Sequence, residues 1–170
     1  MSLRLLHVVA VVTYVGGGVL LHGPLRRALR LIPPGQASIV ASRVGGDFTY
    51  LSWMSLALWG STGYWMIFRY ALGEVSAPLT LFITPHLLRT PKGVALLVMV
   101  STWYLIVISA SIITFVLRPR LALRVTPDAT AEAADRAVAT ISRAARWVDL
   151  LALANLGLAA LGLLAGAFFL

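Results

Sequence analysis

Apolar residues follow one another from Leu3 to Leu21 with two interruptions, Arg4 and His7, and the run ends at His22-Gly23-Pro24. One helix needs roughly 20 consecutive apolar residues to cross a bilayer core. The run is too long for the apolar part of a signal peptide and has no small-residue cleavage site after it, so it reads as a retained first helix over about 3–22. Pro24 has no N–H to continue the ladder, which sets the expected stop. Residues 24–46 then read as a loop with Arg26, Arg27, Arg30 and Arg43 and a turn at Pro33-Pro34-Gly35. A second helix is expected over about 48–70, carrying Trp53, Trp59 and Trp65, with Tyr50 and Tyr70 near its ends, where amphipathic rings favour the interface.

Residues 71–92 form a second expected loop. Its stretch from Pro78 to His86 is apolar but short and bracketed by prolines, the pattern of a segment lying in the headgroups. A third helix is expected over about 93–117, stopped by Arg118-Pro119-Arg120. Thr126-Pro127-Asp128 is a helix-start signal: a capping hydroxyl, proline at the first helical position, then an acid. From there Ala134, Val138, Ile141, Ala145 and Val148 recur at helical steps, and no breaker separates them from the apolar run Leu150 to Leu170. The fourth helix therefore runs over about 128–170. At 1.5 Å per residue it would be roughly 60 Å long, about twice the hydrocarbon thickness, and its first part must stand in water or lie on the headgroups. Within its apolar half, Gly162 and Gly166 form a small-xxx-small pair that permits close backbone approach to a partner chain or within the monomer.

The fold class expected is all-α: a four-transmembrane-helix bundle with one short interfacial segment and a long C-terminal helix, as a single integral membrane domain over 1–170. Composition agrees. Of 170 residues, 59% are hydrophobic and 12% charged, about half the charged share of a soluble domain, and the mean hydropathy is +0.89. The net charge of +8 would suggest nucleic acid in a soluble protein. Here the arginines lie between apolar runs with no basic-aromatic module, so the charge reads as the positive-inside bias and contact with anionic lipid, and no nucleic acid is expected. With four spans, one side holds ten cations: Arg26, Arg27, Arg30, Arg43, Arg118, Arg120, Arg124, Arg136, Arg143 and Arg146. The other holds four: Arg4, Arg69, Arg89 and Lys92. The ten belong in the cytoplasm and both termini outside.

The chain has no cysteine, which excludes disulfides, thiolate metal sites, iron–sulfur clusters and covalently attached haem. Ionisable residues inside a membrane are costly and start as functional candidates. His7 and His22 are separated along the first helix by about 22 Å and cannot share a metal. His7 and His86 come from different segments at similar depth near the outer face. Two neutral imidazoles facing each other across an outer-leaflet pocket suit a b-type haem, and Gly16-Gly17-Gly18 would let a flat macrocycle, or simply another helix, approach the backbone. Against this, His7 can instead hydrogen-bond a neighbouring helix, and His22 and His86 can be interfacial. Copper is less well served, because Met54, Met66 and Met99 are scattered in sequence. Asp47 and Asp149 read as interfacial ion pairs with nearby arginines, and Asn155 as interhelical glue.

The stretch Leu6-His7-Val8-Val9-Ala10-Val11-Val12-Thr13-Tyr14-Val15-Gly16-Gly17 resembles the "LHxxAxxxWxGG" opening of a set of four-helix bacterial membrane proteins that includes the copper resistance protein D domain, DUF2269-type proteins and HemJ-type protoporphyrinogen oxidases. Thr62-Gly63, Lys92, Arg118-Pro119, Arg146 and Asn155 extend the similarity in layout. The resemblance implies a b-type haem held by His7 and a role for Lys92 at the cofactor. The usual Trp is Tyr14 here, and no histidine lies between Gly93 and Leu117, so His86 takes the place of the second ligand on grounds of depth. The cofactor-binding residues expected are thus His7, His86, Gly16, Gly17 and Lys92, with His7 and His86 on the metal. The function expected is a haem-b-binding protein of the bacterial inner membrane that passes electrons as a small subunit or partner of a respiratory complex, with other membrane subunits or further copies of itself as partners. The rivals are a cofactor-free accessory subunit and a porphyrin oxidase.

Overall fold

A computed structural model describes residues 3–70, 89–121 and 130–169, and every long element in it is helical. We number the helices α1 (Leu3–Leu29), α2 (Pro34–Tyr70), α3 (Pro91–Leu121) and α4 (Ala131–Phe169). They alternate in direction along the chain. α1 packs along α2 and α3 along α4, and the two pairs join through α1 against α4 and, more sparingly, α2 against α3. The core lies where all four meet, at Ala10, Val11 and Tyr14 of α1, Leu56 and Trp59 of α2, Ile106 of α3 and Ala159 of α4.

Neither proline stops its helix where expected. Pro24 and Pro119 each lack an N–H and crowd the carbonyl four residues back. The chain absorbs this by widening one turn, as π-helix at Leu21–Leu25 and at Ile112–Leu117, and each helix then continues, to Leu29 and to Leu121. The expected loop over 24–46 is therefore mostly helix. α2 begins at Pro34, with proline in the first turn where the missing N–H costs nothing, and the connection shrinks to the residues between Leu29 and Pro34. The start of α3 is capped by Thr90, whose Oγ1 accepts from Gly93 N at 3.0 Å, ahead of Pro91. Thr130 caps α4 in the same way, accepting from Ala133 N at 3.3 Å. The interfacial stretch 78–86 and the start signal at 126–128 lie outside the described residues.

Among the described residues, three helices are long and apolar enough to cross a membrane: α1, α3 and α4 as far as Ala167. α2 is long enough at 37 residues, but its Trp, Tyr, Ser and Gly residues lower its hydropathy. At 1.5 Å per residue α2 extends for about 56 Å and α4, uninterrupted over 39 residues, for about 58 Å, each well beyond the ~30 Å hydrocarbon thickness.

The face by which α4 meets the bundle differs from the expected stripe. Ala134, Ala137, Ile141, Ala144 and Val148 turn inward, with Ala144 only 2% exposed, whereas Val138 is 56% exposed and Ala145 also faces out. The last part of α3 covers this face. Close by, Arg26 Nη2 donates to Asp149 Oδ2 at 2.7 Å, tying the end of α1 to α4 as an exposed ion pair of the kind the sequence suggests. Gly162 and Gly166 also turn into the monomer: Thr102 and Met99 of α3 lie against them.

Candidate functional site

At the end of the bundle formed by the starts of α1 and α3 and the ends of α2 and α4, the four helices line a half-open cavity of about 1170 Å³. Small residues make room for it on two walls, with Gly60 and Gly63 on α2 and Gly162 and Gly166 on α4, while Trp59 and Trp103 line it as broad apolar surfaces. The packing behind those walls is tight. The Trp103 ring lies directly on Gly60, and Trp103 Nε1 donates to the Leu56 carbonyl at 3.2 Å. The lining is mostly aliphatic and aromatic. Its charged members are Arg4 in the first turn of α1, Arg69 in the last turn of α2 and Lys92 in the first turn of α3, and no described lining residue is acidic. Such a chamber suits an apolar body with one or more anionic groups at its rim.

His7 stands in its wall. The helical spacing Arg4, His7, Val8, Val11 puts these residues on one face of α1, and Trp59, Thr62, Gly63 and Met66 do the same on α2. The two faces meet at the imidazole. His7 Nδ1 lies 3.0 Å from Thr62 Oγ1, and the ring sits edge-on to Trp59 with centroids 6.4 Å apart. Gly63 makes the approach possible, since a Cβ there would fall 3.1 Å from His7 Cε1. His7 thus does hydrogen-bond a neighbouring helix and also reaches the cavity, two properties that sequence alone offers as alternatives.

The other expected site residues are placed as follows. Lys92 lines the cavity with His7. Gly17 is covered by the Phe48 ring, and Gly16 has open space where a side chain would be; neither lines the cavity. His22 donates from Nδ1 to the Gly18 carbonyl of its own helix at 3.1 Å, away from the cavity. His86 lies outside the described residues. Among the described residues no three His, Cys, Asp or Glu side chains cluster as a metal site. Sequence reading placed neither Arg4 and Arg69 nor Met66 and Met99, weighed only as scattered copper ligands, at the site, and all four line the cavity. Arg4 falls one helical turn before His7, and that spacing is the signal available. Met66 of α2 and Met99 of α3 line the same cavity only because the bundle brings both helices to it.

A second polar feature lies in the core. Tyr14 of α1 and Asn155 of α4 are both buried there, 7% and 4% exposed. Asn155 Oδ1 and Ser109 Oγ are buried without a hydrogen-bond partner among the described residues. Compared with protein-family models, curated proteins and solved structures, the chain has no match.

Proposed function

We propose that this chain crosses a bacterial cytoplasmic membrane four times and binds haem b in the cavity, passing electrons as a small subunit or partner of a respiratory membrane complex. The observation that carries this reading is a histidine in the wall of a large apolar chamber whose described rim residues include three cations and no acid. The donor set fits the group. His7 offers an imidazole nitrogen of the kind that ligates haem iron. Arg4, Arg69 and Lys92 are placed to pair with the carboxylates of the macrocycle, and arginine can do so with two parallel hydrogen bonds. Trp59, Trp103, Leu96 and Val100 would give the ring an apolar surface to lie on. When bound, the haem supplies a one-electron couple.

His86 is the proposed second ligand. It precedes the Thr90 cap of α3 by four residues, a length of chain that reaches at most about 14 Å. Cavity and His7 lie at the end of the bundle with four cations against ten, so the charge rule puts the site on the outer side, with both termini.

Absorption spectroscopy of the detergent-purified protein, produced in haem-replete cells, tests this reading. The wild type should show a Soret band with about one haem per chain, His7→Ala should lose it, and His22→Ala should keep it. A colourless wild type refutes the haem reading in favour of an accessory subunit. Turnover of protoporphyrinogen by the haem-loaded protein would move the reading to a porphyrin oxidase.

A further inference from the structure

Thr62 has a hydroxyl with one proton and three polar neighbours. Its Oγ1 lies 2.6 Å from the Leu58 carbonyl, 3.1 Å from the Trp59 carbonyl and 3.0 Å from His7 Nδ1. The two carbonyls belong to the turn of α2 that precedes Thr62, and a carbonyl can only accept. A threonine within a helix gives its proton to the carbonyl three or four residues back, and the shortest of the three distances is the one to Leu58. The proton therefore goes to the helix, and the hydroxyl turns a lone pair toward the imidazole. A lone pair can be met there only by an N–H, so His7 carries its proton on Nδ1.

From this we infer that Thr62 is a positioning residue for a metal ligand: it fixes His7 as the Nδ1–H tautomer and leaves the bare Nε2 as the nitrogen offered to the cavity. Two surrounding contacts hold the ring for that purpose. Gly63 lets the imidazole lie close to α2, and the Trp59 ring meets it edge-on. A histidine that binds a metal through one nitrogen almost always donates its other N–H to an acceptor, which sets the ring orientation and raises the basicity of the ligand. Here that acceptor is already in place, and the helix keeps it an acceptor because its proton is committed elsewhere. The inference rests on the haem reading for what Nε2 binds, but not for which nitrogen is protonated.

Two measurements on the full chain in lipid nanodiscs separate these parts. The first is ¹⁵N NMR of the haem-free protein with labelled histidine, with His7 assigned by comparison with His22→Gln and His86→Gln. At a pH where the ring is neutral, the wild type should show a protonated Nδ1 and an unprotonated Nε2. Thr62→Val should lose that preference and Thr62→Ser should restore it. A wild-type His7 protonated on Nε2 overturns the inference. The second is haem titration with potentiometry. Thr62→Val should weaken haem binding 10–100-fold, the usual effect of removing such an outer acceptor. It should also move the midpoint potential to more positive values, because a less basic imidazole favours the ferric state less, and Thr62→Ser should recover both. If Thr62→Val binds haem with wild-type affinity and potential, Thr62 has no positioning role although the haem reading stands. If the wild type takes up no haem, the haem reading and the ligand role of Nε2 fall together, and the NMR result decides the tautomer on its own.

Discussion

Gly162 and Gly166 sit one helical turn apart on the face of α4 that meets α3, and the structure separates their roles by distance. A Cβ on Gly162 would lie 3.0 Å from Thr102 Oγ1, and one on Gly166 would lie 3.9 Å from Met99 Cε. The first contact is tighter than side chains normally tolerate, and its neighbour cannot yield easily. Thr102 is β-branched, stiff at χ1 in a helix, and only 3% exposed, and its hydroxyl is committed to the Met99 carbonyl at 2.9 Å. The second is ordinary van der Waals contact with the end of a flexible side chain. Replacing either glycine by alanine brings a gain of up to ~1 kcal/mol from helix propensity, which is common to both and cancels in the comparison. What remains is the overpacking cost of about 1–3 kcal/mol at Gly162 alone. Gly162→Ala should therefore be less stable than Gly166→Ala by about that amount, and Gly166→Ala should be no less stable than the wild type. Reversible unfolding in mixed micelles, or steric trapping in bicelles, measures both variants against the wild type. Equal effects, or a larger loss at Gly166, would refute the assignment of Gly162 to a tight contact within the monomer. Oligomeric state on native gels should be the same for both variants, since neither glycine faces outward.

For topology, a cysteine at Ser38, which is exposed near the start of α2, should resist membrane-impermeant maleimide in intact cells, and one at Ser2 should react. Labelling at Ser38 from outside would invert the orientation proposed from the ten-to-four charge count.

Much of the architecture was legible because one physical requirement dominates it. A backbone buried in apolar surroundings must satisfy its own hydrogen bonds, so long apolar runs become helices whatever they pack against. The runs starting at Leu3, Gly93 and Leu150 therefore announced α1, α3 and the apolar half of α4, and the absence of a breaker after residue 128 announced the length of α4. Helix ends were read less well. Pro24 and Pro119 are breakers by propensity, but a widened turn absorbs each of them, and whether a chain bends or stops there depends on what the next residues can pack on. Arg26, bonded to Asp149 across the bundle, is one such anchor beyond Pro24. On α4, Ala134, Ile141 and Val148 were assigned to the covered face from periodicity, but Val138 and Ala145 were too. Several phases of an alanine-rich helix look alike in sequence, and only the position of α3 selects among them.

The candidate site divides along the same line. His7 could be singled out from sequence because an ionisable side chain one turn inside an apolar helix is costly wherever the other helices lie, whereas Lys92 was marked only by the family resemblance. Arg4, Arg69, Met66 and Met99 could not be joined to them, since they belong to three different helices and nothing in their spacing states that those helices share one chamber. Thr62 is the sharpest case. As a residue it is an ordinary helical threonine bonded to its own preceding turn. It becomes the partner of His7 only because Gly63 lets α1 come close enough to bring Nδ1 within 3.0 Å. Sequence by itself determined which segments are helical and which groups are expensive to bury, because both follow from local chemistry. Tertiary structure decided which of those groups meet, because a contact between distant helices depends on their axial register and rotation, and those are set by the whole bundle packing at once.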